Sequence, residues 1–497
     1  MNDENERILT VGRNCWRIAR ARRLALIVDA ADYFRHAKSA MLKAQHSIML
    51  IGWDFDTRIK LEPERQTLEG PNQLGEFLSW LPKHREHLNV YVLKWDLGMI
   101  QALGRGMTPF FVMDWITDKK LHLRLDHSHP VGAAHHQKIV VIDDALAFCG
   151  GIDMTVDRWD TPQHLDDNPL RTKPSGRAYG PWHDATTAVD GDAAEAIADL
   201  ARERWHRGTG TLLPPAPTKA NLWPEELSPT TEHVEVAIAR TIPELGDQHE
   251  VHEIQSLYLD AIGAANQTVY IETQYLASRK IADAMVRRLK EASGPEIILV
   301  LPKTTEGWLE HKAMDGARRK LLHELWKADR NNRLGVYYPV TAGNQPIYVH
   351  AKILTVDDKL LRVGSSNLNN RSMGFDTECD LAVEATGQSA DQMKLRSTIL
   401  GVRDNLLCEH LGIEPHIFSA ALDVNAGSVL KAIEALRNSG KTLKPFDRAT
   451  IENDESVLAE NDLLDPEKMP KVWSQRIVEK IASVPKIFSS GWIRGSS

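Results

Sequence analysis

The stretch HHQKIVVIDD, residues 135–144, decides how the chain is read. Ile139 to Ile142 is an unbroken β-branched run of the kind that forms a buried strand. His136 and Lys138 stand two apart at its entrance, and side chains two apart on a strand point to the same face. An imidazole and an ammonium therefore project together where the strand begins, and a carboxylate, Asp143, closes it.

The same pattern occurs a second time. Residues 136–153, HQKIVVIDDALAFCGGID, are matched by HAKILTVDDKLLRVGSSN at 350–367. Both run His, one residue, Lys, four residues, Asp, six residues, then Gly-Gly or Gly-Ser, with Asp153 or Asn367 two positions beyond. The offset is 350 − 136 = 214 residues. The surroundings repeat as well. ADYFRHAKSAMLKAQ (31–45) has helical periodicity and leads into the strand-like SIMLIGWDF (47–55), as EIQSLYLDAIGAANQ (253–267) leads into TVYIETQYL (268–276). NVYVLKWD (89–96) answers EIILVLPK (296–303), and LHLRLD (121–126) answers LGVYYPV (334–340). Strands alternating with helices imply an α/β chain of two pseudo-repeated α-β-α sandwich lobes. The first lobe spans 20–208 and the second 234–420. The proline-rich, aperiodic stretch 209–233 is the linker, and 421–497 reads as a helical C-terminal extension.

Composition sets the outer bounds. A chain of 497 residues, 42% hydrophobic and 26% charged, has room for more than one domain and a large core. The net charge of −8 weighs against broad attraction to nucleic acid. Cys15, Cys149, Cys379 and Cys408 show no CxxC spacing, which argues against a disulfide framework or a structural zinc site built on cysteine. No signal-like h-region and no run of about 18 apolar residues is found, so the expected location is cytoplasmic or peripheral on a membrane.

Two His–Lys pairs suggest one chemistry. Lysine is a compact charge with three donors, suited to phosphate oxygens, so Lys138 and Lys352 converging from two lobes would neutralise a phosphodiester. Of His136 and His350, one can attack phosphorus as a neutral imidazole while the other, protonated, supplies the leaving alkoxide with its proton. These roles require the two pKa values to be pushed apart. Each ring also needs an orienting carboxylate. Asp184 in PWHDATTAVD and Glu378 in DTECDLAVE stand in matching places, with their pairing to the rings open. Gly151 would let a backbone N–H approach a phosphate, and Ser365 and Asn367 would add side-chain donors. Nothing in this set demands a metal ion, and no cofactor is expected.

The doubled HxKxxxxDxxxxxxG[GS] resembles the signature of the phospholipase D superfamily, over roughly residues 20–420. GGIDMTVDRWDTPQH with RAYGPWHD, and GSSNLNNRSMGFDTECD, resemble the eukaryotic-type enzymes. The resemblance implies His136 as nucleophile, His350 as acid/base, and Lys138, Lys352 and Asn367 on the phosphate. Asp143 and Asp357 complete the motifs and so belong to the catalytic set, although the strands carry them away from the pairs and they look structural. Where the second copy has Asn367 the first has Asp153, which would repel a phosphate and is expected to turn toward a cation such as Arg158, or toward a backbone donor.

Other signals have plainer readings. His127, His129, His135 and His136 lack a zinc geometry, and Cys149 and Cys379 read as small buried residues. MTPFFVMDW (107–115) reads as core, and the apolar stripe of Trp473, Ile477, Ile481, Val484 and Phe488 as a helix packed on the main body. The implied function is a phospholipase D that hydrolyses glycerophospholipids through a phosphohistidine, with transphosphatidylation. A cardiolipin synthase-like phosphatidyl transferase and a nuclease or phosphodiesterase of the same superfamily are the alternatives, with a catalytically silent lipid-binding protein behind them. The expected partner is a phospholipid membrane surface, presented as substrate. Nucleic acid is not expected, and a monomer would suffice.

Overall fold

A computed structural model describes residues 7–96, 119–217, 220–305, 308–448 and 465–466. The MTPFFVMDW segment and the C-terminal stripe from Trp473 lie outside the described residues. The first half contributes β1 (Arg17–Val28), α1 (Ala30–Met41), β2 (Ser47–Gly52), α2 (Leu74–His84), β3 (Asn89–Trp95), β4 (Leu121–Asp126), β5 (Ile139–Ile142), β6 (Leu146–Gly150), β7 (Trp182–His183), β8 (Ala185–Asp190) and α3 (Asp192–Thr209). The second half follows the same plan. It comprises β9 (Thr231–Ile242), β10 (Val251–His252), α4 (Glu253–Ala264), β11 (Thr268–Glu272), α5 (Arg279–Lys290), β12 (Glu296–Val300), α6 (Trp308–Ala328), β13 (Leu334–Val340), β14 (Tyr348–Val349), β15 (Ile353–Val356), β16 (Leu360–Gly364), β17 (Glu378–Glu384) and α7 (Ala390–Leu411). After these come α8 (Pro415–Val424), α9 (Val429–Leu436) and β18 (Thr442–Pro445).

The two lobes are fused rather than merely linked. Among the described residues one 16-stranded sheet runs β18-β13-β12-β11-β15-β16-β17-β9-β1-β8-β6-β5-β2-β3-β4, with β10 paired to β9. The order reads the same outward from the antiparallel β1–β9 seam, so a pseudo-two-fold axis passes there. β1 and β9 are 12 residues each and pair from Arg17 opposite Ile238 to Leu24 opposite Thr231. β9 thus begins inside the proline-rich stretch, whose Leu222, Trp223 and Leu227 pack into the first lobe's core.

Period-two alternation builds the layers. Met49, Ile51, Ile139 and Val141 face a core shared by both lobes and covered by α3 and α7, while Ile48, Leu50, Val140 and Ile142 face the opposite core. That second core is closed by α1, whose buried Ala30, Tyr33, Phe34, Ala37, Ala40 and Met41 follow helical spacing. Leu354 and Val356 do the same in the second half, beneath α4 and α5. Residues 442–445, expected within a helical extension, instead form the edge strand β18 against β13. No helix among the described residues is long and apolar enough to cross a membrane.

The motif aspartates hold this frame. Asp143 turns the β5–β6 hairpin with φ 48°, and its carboxylate accepts the N–H groups of Gln45 (2.7 Å), His46 (2.8 Å) and Ser47 (2.7 Å) at the start of β2. Asp357, with φ 49°, accepts those of Asn266 (2.8 Å), Gln267 (2.7 Å) and Thr268 (2.8 Å) at the start of β11. Each carboxylate is fully committed at the far end of its strand from the histidine, which removes both aspartates from the catalytic set.

Asp143→Ala would strand three backbone donors and remove a side chain suited to the left-handed turn. We expect a loss of about 3 kcal/mol, read as a lowered urea midpoint, with Asp357→Ala matching it. A midpoint unchanged in both variants would contradict this role.

Candidate active site

Each histidine lies on extended chain just before its strand, since β5 starts at Ile139 and β15 at Ile353. Two short parallel ladders then cross between the halves. In one, Val349 of β14 pairs with His183 of β7, and the His350 N–H donates to the His183 carbonyl (2.8 Å). In the other, His135 pairs with Thr377, and the His136 N–H donates to the Thr377 carbonyl (2.9 Å). Each ladder ends one residue before a histidine on one side and one residue before a carboxylate on the other.

The next residues are therefore side by side, and the pairing is crossed. Glu378 of the second half accepts from His136 Nδ1 at 2.9 and 3.0 Å. Asp184 of the first half accepts from His350 Nδ1 at 2.6 Å. With the proton on Nδ1, each ring keeps Nε2 for a ligand.

Burial and cations set the electrostatics. Burial holds His136 well below its ordinary pKa, and Lys138 and then Lys352 add to the effect. Burial does the same to His350, followed by Lys352, Arg158 and Lys138. Both lysines thus act on both rings, as convergence on one site requires. The two histidines are not pushed apart as the chemistry was expected to demand. Both are buried beside Lys138 and Lys352, so both are shifted in the same direction, toward the neutral ring. Burial raises Glu378 to about 8, against donors from Ser365 and Ser372, and raises Asp184 against the charge of Lys352. Lys352 is lowered by burial to about 7, with Asp184 opposing.

Several expected phosphate contacts are otherwise engaged. The Gly151 N–H donates to the Ala185 carbonyl (2.8 Å), and a Cβ at Gly151 would collide with the Asp184 carboxylate. This glycine makes room for an orienter and does not offer its N–H to a ligand. The Ser365 hydroxyl donates to Glu378, so it positions that carboxylate. Ser372 does likewise at 2.6 Å, a role that no local pattern in the sequence marks. Asn367 remains available, with its buried Oδ1 lacking a hydrogen-bond partner.

Asp153 does turn toward a cation, but the cation is Lys138 (3.0 Å) and not Arg158. Arg158 instead lies over the Trp182 ring, 4.3 Å from its centroid, and Trp182 in turn lies 5.2 Å from the His350 ring. It is a third cation of the site that the motif reading passed over.

The histidine-rich stretch is dispersed. His127 and His129 contact Asp96, and His135 lies between Asp126 and Arg204. Cys149 and Cys379 are buried core residues, Cys149 Sγ lying 3.6 Å from the Cys379 carbonyl.

The crossing is directly testable by histidine-selective ¹⁵N NMR. Glu378→Gln should move the Nδ1 resonance and lower the pKa of His136, 242 positions away in sequence, more than those of His350. Asp184→Asn should do the reverse. A larger effect on the histidine of the same half would refute the pairing.

Comparisons with known proteins agree with this geometry. A family model described as "Phospholipase D" matches residues 40–290, and one described as "Cardiolipin synthase, PLD-like domain" matches 258–395. The chain is similar to Phospholipase D1 of Schizosaccharomyces pombe, 25% identical over 79% of this chain and 35% of that one. It is similar to Phospholipase D alpha 1 of Nicotiana tabacum, 25% identical over 76% of this chain and 64% of that one. It therefore spans between about a third and two thirds of these relatives' length. Among solved structures, the phosphatidylserine synthase of Haemophilus influenzae shares the fold, with a TM-score of 0.52 at 11% identity over 84% of this chain and 97% of that one. The first family match covers 290 − 40 + 1 = 251 of 497 residues, and with two complete His–Lys motifs brought together by the fold the chain belongs to the phospholipase D superfamily.

Proposed function

We propose that the protein is a phospholipase D, cleaving the distal phosphodiester of a glycerophospholipid to give phosphatidic acid and the head-group alcohol. The observation that carries this reading is the crossed pair of oriented imidazoles, each with a buried lysine two residues on. In this reading the His136 Nε2 lone pair attacks phosphorus, the bond to the head-group oxygen breaks, and the proton on His350 passes to that oxygen. Water then attacks phosphorus while His350 takes its proton, the phosphorus–nitrogen bond breaks, and His136 leaves as the neutral ring. Lys138, Lys352 and Asn367 would hold the non-bridging oxygens as charge builds on them. A membrane surface would present the substrate.

A primary alcohol in place of water would accept the phosphatidyl group, so transfer and hydrolysis share the intermediate. The match of residues 258–395 to the cardiolipin synthase model favours a second reading, in which a lipid alcohol is the natural acceptor.

Mixed phosphatidylcholine and phosphatidylethanolamine vesicles with ethanol separate these readings. Wild type should give phosphatidic acid and phosphatidylethanol, and His136→Ala should reduce both at least 10³-fold, on the order expected for loss of a nucleophile. In a second set of vesicles that also contain phosphatidylglycerol, transfer to that lipid without hydrolysis would favour the second reading. No lipid product under either condition would reject both.

The pH profile follows from the shifted rings. Catalysis needs one ring neutral and one protonated, yet in the free protein both lie below 6.5 and lose protons readily. A bound phosphodiester anion offsets the lysines and raises the rings' proton affinity. The alkaline limb of kcat/KM, which reports the free enzyme, should therefore fall at lower pH than that of kcat. Coincident or inverted limbs would contradict the lysine effect.

A further inference from the structure

Behind the Asp184–His350 pair lies a second set of titratable side chains that the phosphodiester chemistry does not use. Asp29 at the β1–α1 junction, His164 in the loop after β6, His183 in β7 and Glu409 in α7 bring four ligand atoms within 4.8 Å of one another. The first three side chains are fully buried and Glu409 is 12% exposed. We propose that Asp29, His164, His183 and Glu409 bind a divalent transition-metal ion, zinc by preference, in a closed tetrahedral site.

The spacing fits. His164 Nε2 and His183 Nδ1 lie 3.1 and 3.0 Å from Glu409 Oε1, and 3.5 and 3.6 Å from the two oxygens of Asp29. Ligand atoms about 2.0–2.1 Å from a tetrahedral zinc are about 3.3–3.4 Å apart, and with Asp29 Oδ2 as the ligand oxygen the three edges to it and to Glu409 Oε1, at 3.5, 3.1 and 3.0 Å, lie on either side of that spacing. Asp29 Oδ2 is a buried atom without a hydrogen-bond partner, turned into the cluster.

The outer nitrogens support the same reading. His164 Nδ1 contacts Asp160 Oδ2 at 2.9 Å, and His183 Nε2 contacts Glu272 Oε2 at 2.7 Å. An imidazole that ligates a metal usually donates its other N–H to a carboxylate, which fixes the tautomer and turns a lone pair inward. Asp160 is held in turn by Arg171 (3.1 Å) and the Trp182 N–H (2.9 Å), and Glu272 by His410 (2.9 Å) and the Tyr270 hydroxyl.

Charge points the same way. With neutral rings, the carboxylates of Asp29, Asp160, Glu272 and Glu409 face the cations of Arg171 and Lys441, giving −4 + 2 = −2. A divalent ion closes that deficit, releasing two protons if the rings carried them beforehand. Two nitrogen donors favour zinc over calcium or magnesium. Four protein ligands leave no open position, so the role is structural. The ion would pin the active site through Asp29, whose N–H donates to the Asp184 carbonyl (2.8 Å) and whose Oδ1 accepts the Asp184 N–H (3.1 Å).

The test uses the full chain and does not depend on the lipid reading. Protein expressed with zinc and purified without chelator should carry about one equivalent by mass spectrometry of the metals. His136→Ala should retain that equivalent, while His164→Asn with Glu409→Gln should lose it at least tenfold. Wild-type apoprotein loaded with cobalt(II) should show the intense visible bands of a tetrahedral nitrogen–oxygen site, a readout that survives if the double variant fails to fold. Less than a tenth of an equivalent, no cobalt uptake and a Tm indifferent to zinc would overturn the proposal, leaving imidazolium–carboxylate pairs in its place. Metal retained by the double variant would overturn it too.

Discussion

Neither catalytic-motif histidine takes its carboxylate from its own half. Glu378 reaches back to His136 and Asp184 reaches forward to His350, so each site component is completed across the seam. A hydrogen bond to a charged group in a buried setting contributes about 1.5–3 kcal/mol, and here it also fixes the orientation of each ring. That orientation requires the halves to be rigid with respect to each other. The continuous sheet supplies it, with two 12-residue strands paired along the axis and a hydrophobic core common to both lobes. The fusion of two sheets into one is thus the structural counterpart of the crossing.

The same burial that orients the rings makes the site electrostatically costly. Lys138 and Lys352 are 5% and 0% exposed, and each lies near the other's histidine. Their amino groups donate to the carbonyls of His136 and His350, two residues back, and Lys138 also pairs with Asp153, which leaves Lys352 with more donors for an anion. Beneath Lys352, Arg362 donates to its carbonyl (2.9 Å) and pairs with the buried Asp380. A phosphodiester would relieve the repulsion among these cations, so binding energy and the repair of a strained charge distribution are the same quantity.

Much of this was legible in the chain. Two copies of the His–Lys motif, 214 residues apart, pointed to two lobes, and apolar runs matched between the halves located β2, β3, β4 and their partners. The crossing was not legible, because a repeat cannot say whether a carboxylate serves its own copy or the other. The ladders at His135–Thr377 and Val349–His183 decide it, and those are tertiary contacts. Gly151 and Ser365 were misread for a related reason: residue type marks closeness to the phosphate site, while the partner of each N–H or hydroxyl depends on the fold. The cluster of Asp29, His164, His183 and Glu409 escaped entirely. Its members are spread over 380 positions with no local spacing, whereas HSHPVGAAHH, which is dense in histidine, is pulled apart by Asp96, Asp126 and Arg204.

A symmetric scaffold still has to produce two unequal histidines, and the asymmetry enters where the repeats depart. In the first half Asp153 stands where Asn367 stands in the second, and it pairs with Lys138 at 3.0 Å. Among the described residues Lys352 has no ion-pair partner within 4.0 Å, and burial lowers it to about 7. Around His136 the cations are countered by Asp376 and Asp153, while the groups that follow burial in acting on His350 are cations, Arg158 among them. The side chain of His136 is also the more open, 15% exposed against 6%. In the proposed mechanism the ring surrounded by cations suits the acid, once an anion offsets them, and the more open neutral ring suits attack. The exchange of one carboxylate for an amide at the edge of one motif thus gives two pseudo-equivalent histidines different electrostatic surroundings.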